Sequence, residues 1–433
     1  MSQSSTNQWL VNLRDPAASD AARFGPKAAN QASLRKAGLP IPEGFCLDVA
    51  AYQRQLESLG LMESARNAAT LTGIEARQLV SEVRIGLFDS PIVAEVLDPL
   101  LEARNDLISK TGARTVVRSS ALSEDLADSS FAGQYESFLD IDSEEDFLTA
   151  IRACWAALWS PRALRYMESH QIDLADTAMG LCIQELIDAR SSGGGMSQSA
   201  DGSMSLTATW GLGTTIAQGE IVPDRYILSA DGALLETILG RTQHSVTCEH
   251  HSSARNMAAK TDENFAGPCL DESQAIELGG YMKRAETMMG GGVEIEWAQD
   301  ERGTRLLQAR PLQMESAGVL DETWARHPGL RGQPSGTGSA TGRACVINCE
   351  CELSRVGHGD ILVTKVASPS LSQVLPHVAG VVAELGGSTS HLASLARERG
   401  IPMVLGVLEA TQKIPDGAEI GVDGVMGMVR WQQ

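Results

Sequence analysis

Apolar and polar positions along the chain follow two periods. In DFLTAIRACWAALWSPRALRYM, and in the run from Gly73 to Asn105, apolar residues return every three or four positions, which predicts helices. RTVVRSS, SLTATWGL and VEIEWA have the shorter, strand-like pattern, and GLCIQELI predicts a strand with Gln184 near its end. Both periods fail from about Glu315 to Ala340, where HPGLRGQPSGTGSATG carries turn residues and little apolar pattern, so an interdomain linker is expected. Beyond it, the short apolar runs GDILVTKV, AGVVAE and IPMVLGV are separated by Gly-rich turns and one amphipathic helix, as in a compact α/β domain. The mixture before the linker predicts either one large α+β or α/β unit or two subdomains facing a cleft. No internal repeat is present.

The length agrees with this division, because 433 residues at about 150 per domain predict two to three domains. With 43% hydrophobic and 21% charged residues, the chain can bury several cores. No apolar stretch reaches the roughly 18 residues of a membrane span, and MSQSSTNQWLVNLRDP lacks a basic segment followed by an apolar one, so a cytoplasmic location is expected. Charge removes another class: 55 acidic against 35 basic residues leave a net of -20, the wrong sign for general attraction to nucleic acid. Local phosphate binding survives that field, since a helix N-terminus and a few cationic side chains act at short range. Cys46, Cys154 and Cys182 sit in apolar runs as core thiols would, and no disulfide framework is expected. Cys345, Cys349 and Cys351 lack the usual spacing of a zinc site; Cys248 with His244, His250 and His251 is a little more suggestive, but its loop reads as polar surface, so no zinc site is expected there either.

The strongest local signal is ELGGSTSHLASLAR, residues 384–397. An apolar run ends in two glycines, three hydroxyl residues able to cap a helix follow, and Leu392, Leu395 and Ala396 give a helical stripe closed by Gly400. His391 falls in the first turn. There the helix dipole disfavours the imidazolium and keeps a ring nitrogen nucleophilic, while free N–H groups can hold an anion brought to it. Such a place suits phosphohistidine; taken alone, the motif fits an ordinary helix start equally well.

A second constellation is VEIEWAQDERGTRLLQARPLQ, two strands about a polar turn from Gln299 to Gly303. Pairing Glu296 with Gln308 places Glu294 opposite Arg310, puts all four on one face, and gives Val293, Ile295, Trp297, Leu307 and Ala309 to the core. Such a face could hold a divalent cation and phosphate oxygens, or be a solvated surface with a cross-strand ion pair. Three elements are weaker: Lys27 after the turn Gly25-Pro26, Arg118 emerging from a strand into hydroxyl residues, and Gly133 in SSFAGQYESF, where a backbone can approach a ligand. Gly211 to Gly213, Gly219 and Asp224 outline a further tight loop.

Together and in order, FGPKAANQASLRKAGLPIPEGFCL, VVRSSALSEDLADSSFAGQYESFL, CIQELIDARSSGG, WGLGTTIAQGEIVPDRY, VEIEWAQDERGTRLLQARPL, GSATGRACVI and AELGGSTSHLASLARERGIPMVLG resemble the phosphoenolpyruvate synthase, pyruvate phosphate dikinase and rifampicin phosphotransferase superfamily over nearly the whole chain. The resemblance implies an α/β and α+β fold: a two-subdomain ATP-grasp nucleotide-binding domain over residues 1–314, a linker over 315–333, and a small swivelling phosphohistidine domain over 334–433. It implies that Lys27 and Arg118 hold ATP phosphates, that Gly133 belongs to the loop over them, and that Gln184 lies beside the adenine. Glu296 and Gln308 would ligate Mg²⁺, Arg310 would contact phosphates, and His391 would carry a phosphoryl group while ATP ends as AMP and phosphate. Two segments depart from the superfamily pattern: Gly-Pro-Lys stands for Gly-Gly-Lys, and Ser-Gly-Gly-Gly-Met-Ser for Ser-Gly-Val-x-Phe-Thr. The linker leaves no room for an acceptor-binding domain. Three readings follow: a phosphotransferase with a small-molecule acceptor, the ATP-using subunit of a split system such as phenylphosphate synthase with a separate acceptor-binding protein, or a phosphocarrier or nucleotide-sensing regulator. The third is disfavoured, because a sensor would not need His391 in addition to an ATP site, and the first is favoured over the second.

Overall fold

The computed structural model describes residues 8–432 except 71–72, 125–134, 136, 200, 242–266, 315–323 and 325, and only the backbone of Ser169. Gly133, the cluster of His244, Cys248, His250 and His251, and the first part of the expected linker lie outside the described residues. The chain divides into two compact units, Met1–Ile187 with Arg305–Arg310, and Asp188–Thr304 with Pro311–Gln433. The first cut therefore falls within the stretch expected to bind nucleotide, and the last hundred residues group with its second half.

The first unit is built on a five-stranded sheet of β1 (Leu10–Asn12), β2 (Gly44–Leu47), β3 (Thr115–Ala121), β4 (Ser137–Ile141) and β5 (Met179–Glu185), in the order β1-β2-β5-β3-β4. Every neighbouring pair is antiparallel. Helices α1 (Ala21–Lys36), α2 (Val49–Ser58), α3 (Met62–Thr70), α4 (Gly73–Asp89), α5 (Ala94–Thr111), α6 (Glu144–Ala157) and α7 (Pro161–Ser169) complete it. The apolar run 146–167 predicted one helical stretch, yet it breaks at Ser160, whose side chain caps a new helix opened by Pro161. Phe24, Ala28 and Ala32 of α1 pack with Cys46 and Cys182 in the core.

Helix α1 is itself interrupted. Gly25 has φ +76, and a methyl group there would lie 2.1 Å from the Ser120 carbonyl oxygen, so only glycine permits the helix to approach β3 this closely. Pro26 then takes the start of the second, longer segment, where its missing N–H costs nothing.

The second unit contains two sheets. The first has the order β11-β10-β6-β7-β8-β9, formed by β6 (Ser191–Met196), β7 (Met204–Trp210), β8 (Asp224–Leu228), β9 (Leu234–Ile238), β10 (Val293–Asp300) and β11 (Gly303–Pro311), with helices α8 (Thr214–Ala217) and α9 (Glu272–Met289). The division between units runs along β11, whose residues Arg305–Arg310 count with the first. The expected hairpin is present, with a tighter turn than predicted: only Glu301 and Arg302 separate the strands. Asp300 stabilises it by accepting from the Arg302 backbone N–H at 2.8 Å.

The second sheet has eight strands, β12 (Gly329–Arg331), β13 (Gln333–Pro334), β14 (Ser339–Ile347), β15 (Ile361–Thr364), β16 (Gly380–Ala383), β17 (Met403–Leu405), β18 (Glu419–Asp423) and β19 (Met428–Trp431), in the order β12-β19-β18-β14-β15-β16-β17-β13. Strands β14 to β17 run parallel, as the runs of short apolar segments suggested. Helices α10 (His391–Glu398) and α11 (Ala410–Lys413) follow β16 and β17. Ala344, Val363, Val382, Val404 and Val422 lie in its core.

Its edge begins earlier than the sequence suggests. β12 pairs with β19 and β13 with β17, so Gly329–Pro334 belongs to the sheet. The Gly332 N–H donates to the Gly427 oxygen at 2.9 Å, and the Ser335 N–H to the Met403 oxygen at 3.0 Å. The Gly- and Pro-rich composition here serves close strand approach, since a methyl group at Gly332 or Gly336 would press on the Leu405 or Ile401 carbonyl oxygen at 2.4 and 2.5 Å.

Candidate functional site

In the first unit, α1 and the sheet face under it bring together four of the residues singled out in the sequence, Lys27, Arg118, Gln184 and Gln308. The register places Gly44, Gln184 and Val116 in one cross-strand row and Cys46, Cys182 and Arg118 in the next, so Arg118 and Gln184 share a face. Lys27 follows the Gly25 break, two residues along from it, and is only 7% exposed. Its Nζ lies 2.5 Å from Oε1 of Glu124, itself buried. A buried ammonium needs such a counter-charge. Glu124 sits in the segment VVRSSALSEDLADSSFAGQYESFL, yet sequence reasoning passed over it. The signal available was its place six residues past Arg118.

Arg118 donates to the Leu307 carbonyl oxygen and, at 3.4 Å, to Oε1 of Gln308. Gln308 and Arg310 are both buried. Arg305–Arg310 is further attached to this unit by the Leu306 N–H, which donates to the Pro40 oxygen at 2.8 Å. Leu306, not the expected Leu307, is the fully buried leucine of the strand. Gln184 donates to Oε1 of Gln31 at 3.3 Å, and both carboxamides are buried; Gln31, four residues after Lys27 on α1, was not singled out. The positive character of this face reaches the core: the Cys182 thiol is held below its ordinary value, first by its hydrogen bond with Cys46, against the effect of burial, and then by the charges of Arg118 and Lys27.

The second unit carries Glu296 and His391. His391 is the first residue of α10, with Ser390 as cap: its Oγ accepts from the Ala393 N–H at 3.3 Å. Gly400 ends the segment at φ 64, in the left-handed position expected from the sequence. On the sheet, Glu296 pairs with Gly194 and Gly194 with Thr207, one row across β10, β6 and β7. The loop before His391 rests on that row. Thr389 Oγ1 is 2.5 Å from Thr207 Oγ1, and a methyl group at Gly194 would fall 2.6 Å from Thr389 Cβ. Two residues along β10, Glu294 receives Ser394 Oγ at 2.9 and 3.0 Å and Arg397 Nη2 at 2.8 Å. Sequence reasoning placed Glu294 on this face, but its partnership with α10, across a hundred residues of chain, carries no local signal.

The loop 386–390 is fixed elsewhere as well. The Gly386 N–H donates to the Ile221 oxygen at 2.9 Å, a methyl group at Gly387 would meet Pro223 at 2.6 Å, and Gln333 donates to the Pro223 oxygen at 3.4 Å. The loop outlined by Gly211, Gly219 and Asp224 proves to be framework: Gly219 faces the Ala367 carbonyl oxygen, and the Asp224 carboxylate accepts from the Gly240 and Cys269 N–H groups at 2.7 and 2.9 Å.

Among the described residues no three His, Cys, Asp or Glu side chains are gathered to hold a metal ion. Half-buried Glu296 and the carboxamide oxygen of Gln308 are hard donors of the kind Mg²⁺ takes one or two at a time while phosphate oxygens and water complete its shell. Glu296, in the second unit, and Gln308, in the first, each offer a donor suited to that ion. No described helix is long and apolar enough to cross a membrane.

Residues 21–326 match the pyruvate phosphate dikinase AMP/ATP-binding domain, and residues 356–427 match the mobile domain of PEP-utilising enzymes. The chain belongs to the pyruvate phosphate dikinase family. Its relatives in that family include a probable phosphoenolpyruvate synthase of Methanothermobacter thermautotrophicus, 29% identical over 94% of this chain and 61% of the relative. The phosphoenolpyruvate synthase of Aeropyrum pernix is 30% identical over 94% of this chain and 56% of the relative, and that of Escherichia coli 28% identical over 97% and 56%. The chain thus spans between 56% and 61% of the length of these relatives. Membership of the dikinase family makes residues 21–326 an ATP-grasp domain and places His391 inside the mobile domain matched over 356–427.

Proposed function

We propose that the chain is an ATP-dependent phosphotransferase of the dikinase type, which works through phosphohistidine at His391 and passes one phosphoryl group to a small-molecule acceptor. The observation that carries this reading is the placement of His391 at the first position of α10, with the loop before it resting on the sheet row that holds Glu296 and its helix bonded to Glu294 two residues along. An unprotonated ring nitrogen there attacks the β-phosphorus of ATP and AMP leaves. The terminal phosphate is then lost to water, and the phosphoryl group kept on His391 goes to the acceptor. Lys27, Arg118 and Arg310 offset charge on the phosphates, and Gln184 contacts the adenine. Glu296 and Gln308 would hold Mg²⁺, which supplies neutralisation of phosphate charge where most of the barrier to phosphoryl transfer is lowered. Glu124 orients the Lys27 ammonium until phosphate takes its place as partner.

The test is incubation with Mg²⁺ and ATP labelled separately at the β and γ positions, without acceptor. Acid-labile label from the β position on His391, together with AMP, is expected; ADP as sole product would refute the dikinase chemistry. His391→Ala should retain ATP binding and acquire no label, and Glu296→Ala should slow ATP cleavage by at least about a hundredfold. Phosphoenolpyruvate, present in the relatives' names, is the first small molecule to try in reverse, as a donor of label to His391.

A further inference from the structure

Phosphoryl transfer to His391 uses the histidine, the nucleotide and the cationic groups around it. It does not by itself require the contacts that bind α10 to the sheet, and those contacts bracket His391 closely. Thr389, two residues before it, meets Thr207 at 2.5 Å. Ser394, three residues after it, donates to both oxygens of Glu294, and Arg397, six residues after it, pairs with Glu294 at 2.8 Å. Glu294 is 6% exposed and Arg397 2%. Arg397 also donates to the Ser335 and Ser388 carbonyl oxygens, so one guanidinium joins β10, the loop before His391 and the entry to the eight-stranded sheet.

Gly194 adds an independent observation. Its φ lies outside the left-handed region, so its backbone does not call for glycine. What calls for it is Thr389, whose Cβ, Oγ1 and Cγ2 would stand 2.6, 2.8 and 2.9 Å from an added methyl group. A buried ion pair adds little net stability but is costly to break from one side, which suits a contact that selects one arrangement.

We propose that Gly194, Thr207 and Glu294 form a seat that holds the His391 loop in register with Glu296 while the histidine is phosphorylated. The three are positioning residues: they act through Thr389, Ser394 and Arg397 and touch no reacting atom. The inference rests on the phosphotransferase reading above and deepens it, because it names what determines when His391 faces nucleotide.

Gly194→Ala and Glu294→Gln test it in the full chain, with three measurements: single-turnover labelling of His391 from β-labelled ATP, the Kd of a fluorescent ATP analogue, and hydrogen exchange of the amides 388–394. Each variant should slow labelling at least about tenfold while Kd changes less than about twofold. Exchange of 388–394 should rise in both. Thr389→Gly added to Gly194→Ala restores the space and should recover most of the labelling rate, which a general defect in folding would not permit. If Gly194→Ala does not fold, Thr207→Ala takes its place. Wild-type labelling rates in folded Glu294→Gln protein would overturn the seat. If wild-type protein takes no label at all, the phosphotransferase reading fails, and unchanged exchange of 388–394 in both variants would then overturn the seat independently.

Discussion

At the scale of single residues, the ion pair of Lys27 with Glu124 carries the most consequence. Both groups are buried, so removing either leaves the other without its counter-charge away from water. Replacing Glu124 by Gln strands the ammonium, and a loss of about 3 kcal/mol is expected in urea unfolding. Nucleotide should repay part of that loss if phosphates meet Lys27. The rise in Tm on adding Mg-ATP should therefore be larger in Glu124→Gln than in the unaltered chain, whereas equal rises would show that Lys27 does not reach phosphate. Lys27 itself was legible from the turn before it, because Gly and Pro mark a break. Glu124 was not, because a lone carboxylate in a polar run reads as solvent-facing until the strand and α1 close over it.

At the scale of elements, α10 shows what local pattern can and cannot convey. Its start, its cap and its end follow from Ser390, the Leu392/Leu395/Ala396 stripe and Gly400, all within ten residues. Ser390→Ala removes the cap and should cost about 1 kcal/mol, read by thermal unfolding, with faster hydrogen exchange of the 391–394 amides. The acidic partner of α10 lies a hundred residues away on β10, and only the fold brings it there. The hairpin gives a similar lesson. Its existence follows from two strand-like runs, but the two-residue turn and the burial of Leu306 over Leu307 depend on how β11 packs, which period-two counting does not see. Helices α6 and α7 look continuous by period, and Ser160-Pro161 divides them because capping and a fixed φ outweigh a continuing apolar stripe.

At the scale of the whole chain, the division into units and the extent of the mobile domain matter most. Composition alone makes residues 332–342 a flexible connector. Hydrogen bonds from Gly332 and Ser335 instead fix this stretch to β17 and the β18–β19 turn, so it travels with the eight-stranded sheet. Gly336→Ala discriminates between these views. A connector would tolerate it, whereas a methyl group 2.5 Å from the Ile401 oxygen and the Met403 nitrogen should destabilise that sheet by about 1–3 kcal/mol, seen as faster hydrogen exchange in β17.

The three consecutive glycines of β6 have a consequence for how this chain tolerates change. A methyl group on Gly193 would run into the Thr207 carbonyl oxygen at 1.8 Å, and one on Gly195 into Leu206 and Met282 at 2.7 and 2.8 Å, both inside the same sheet and its covering helix. Of the three, Gly194 alone faces the loop before His391. In a saturation library, substitutions at the outer two positions would be purged for folded yield, and those at the middle one for turnover in protein that still accumulates. Adjacent codons would thus answer to different selections, and a screen scored for abundance beside one scored for activity would separate them residue by residue.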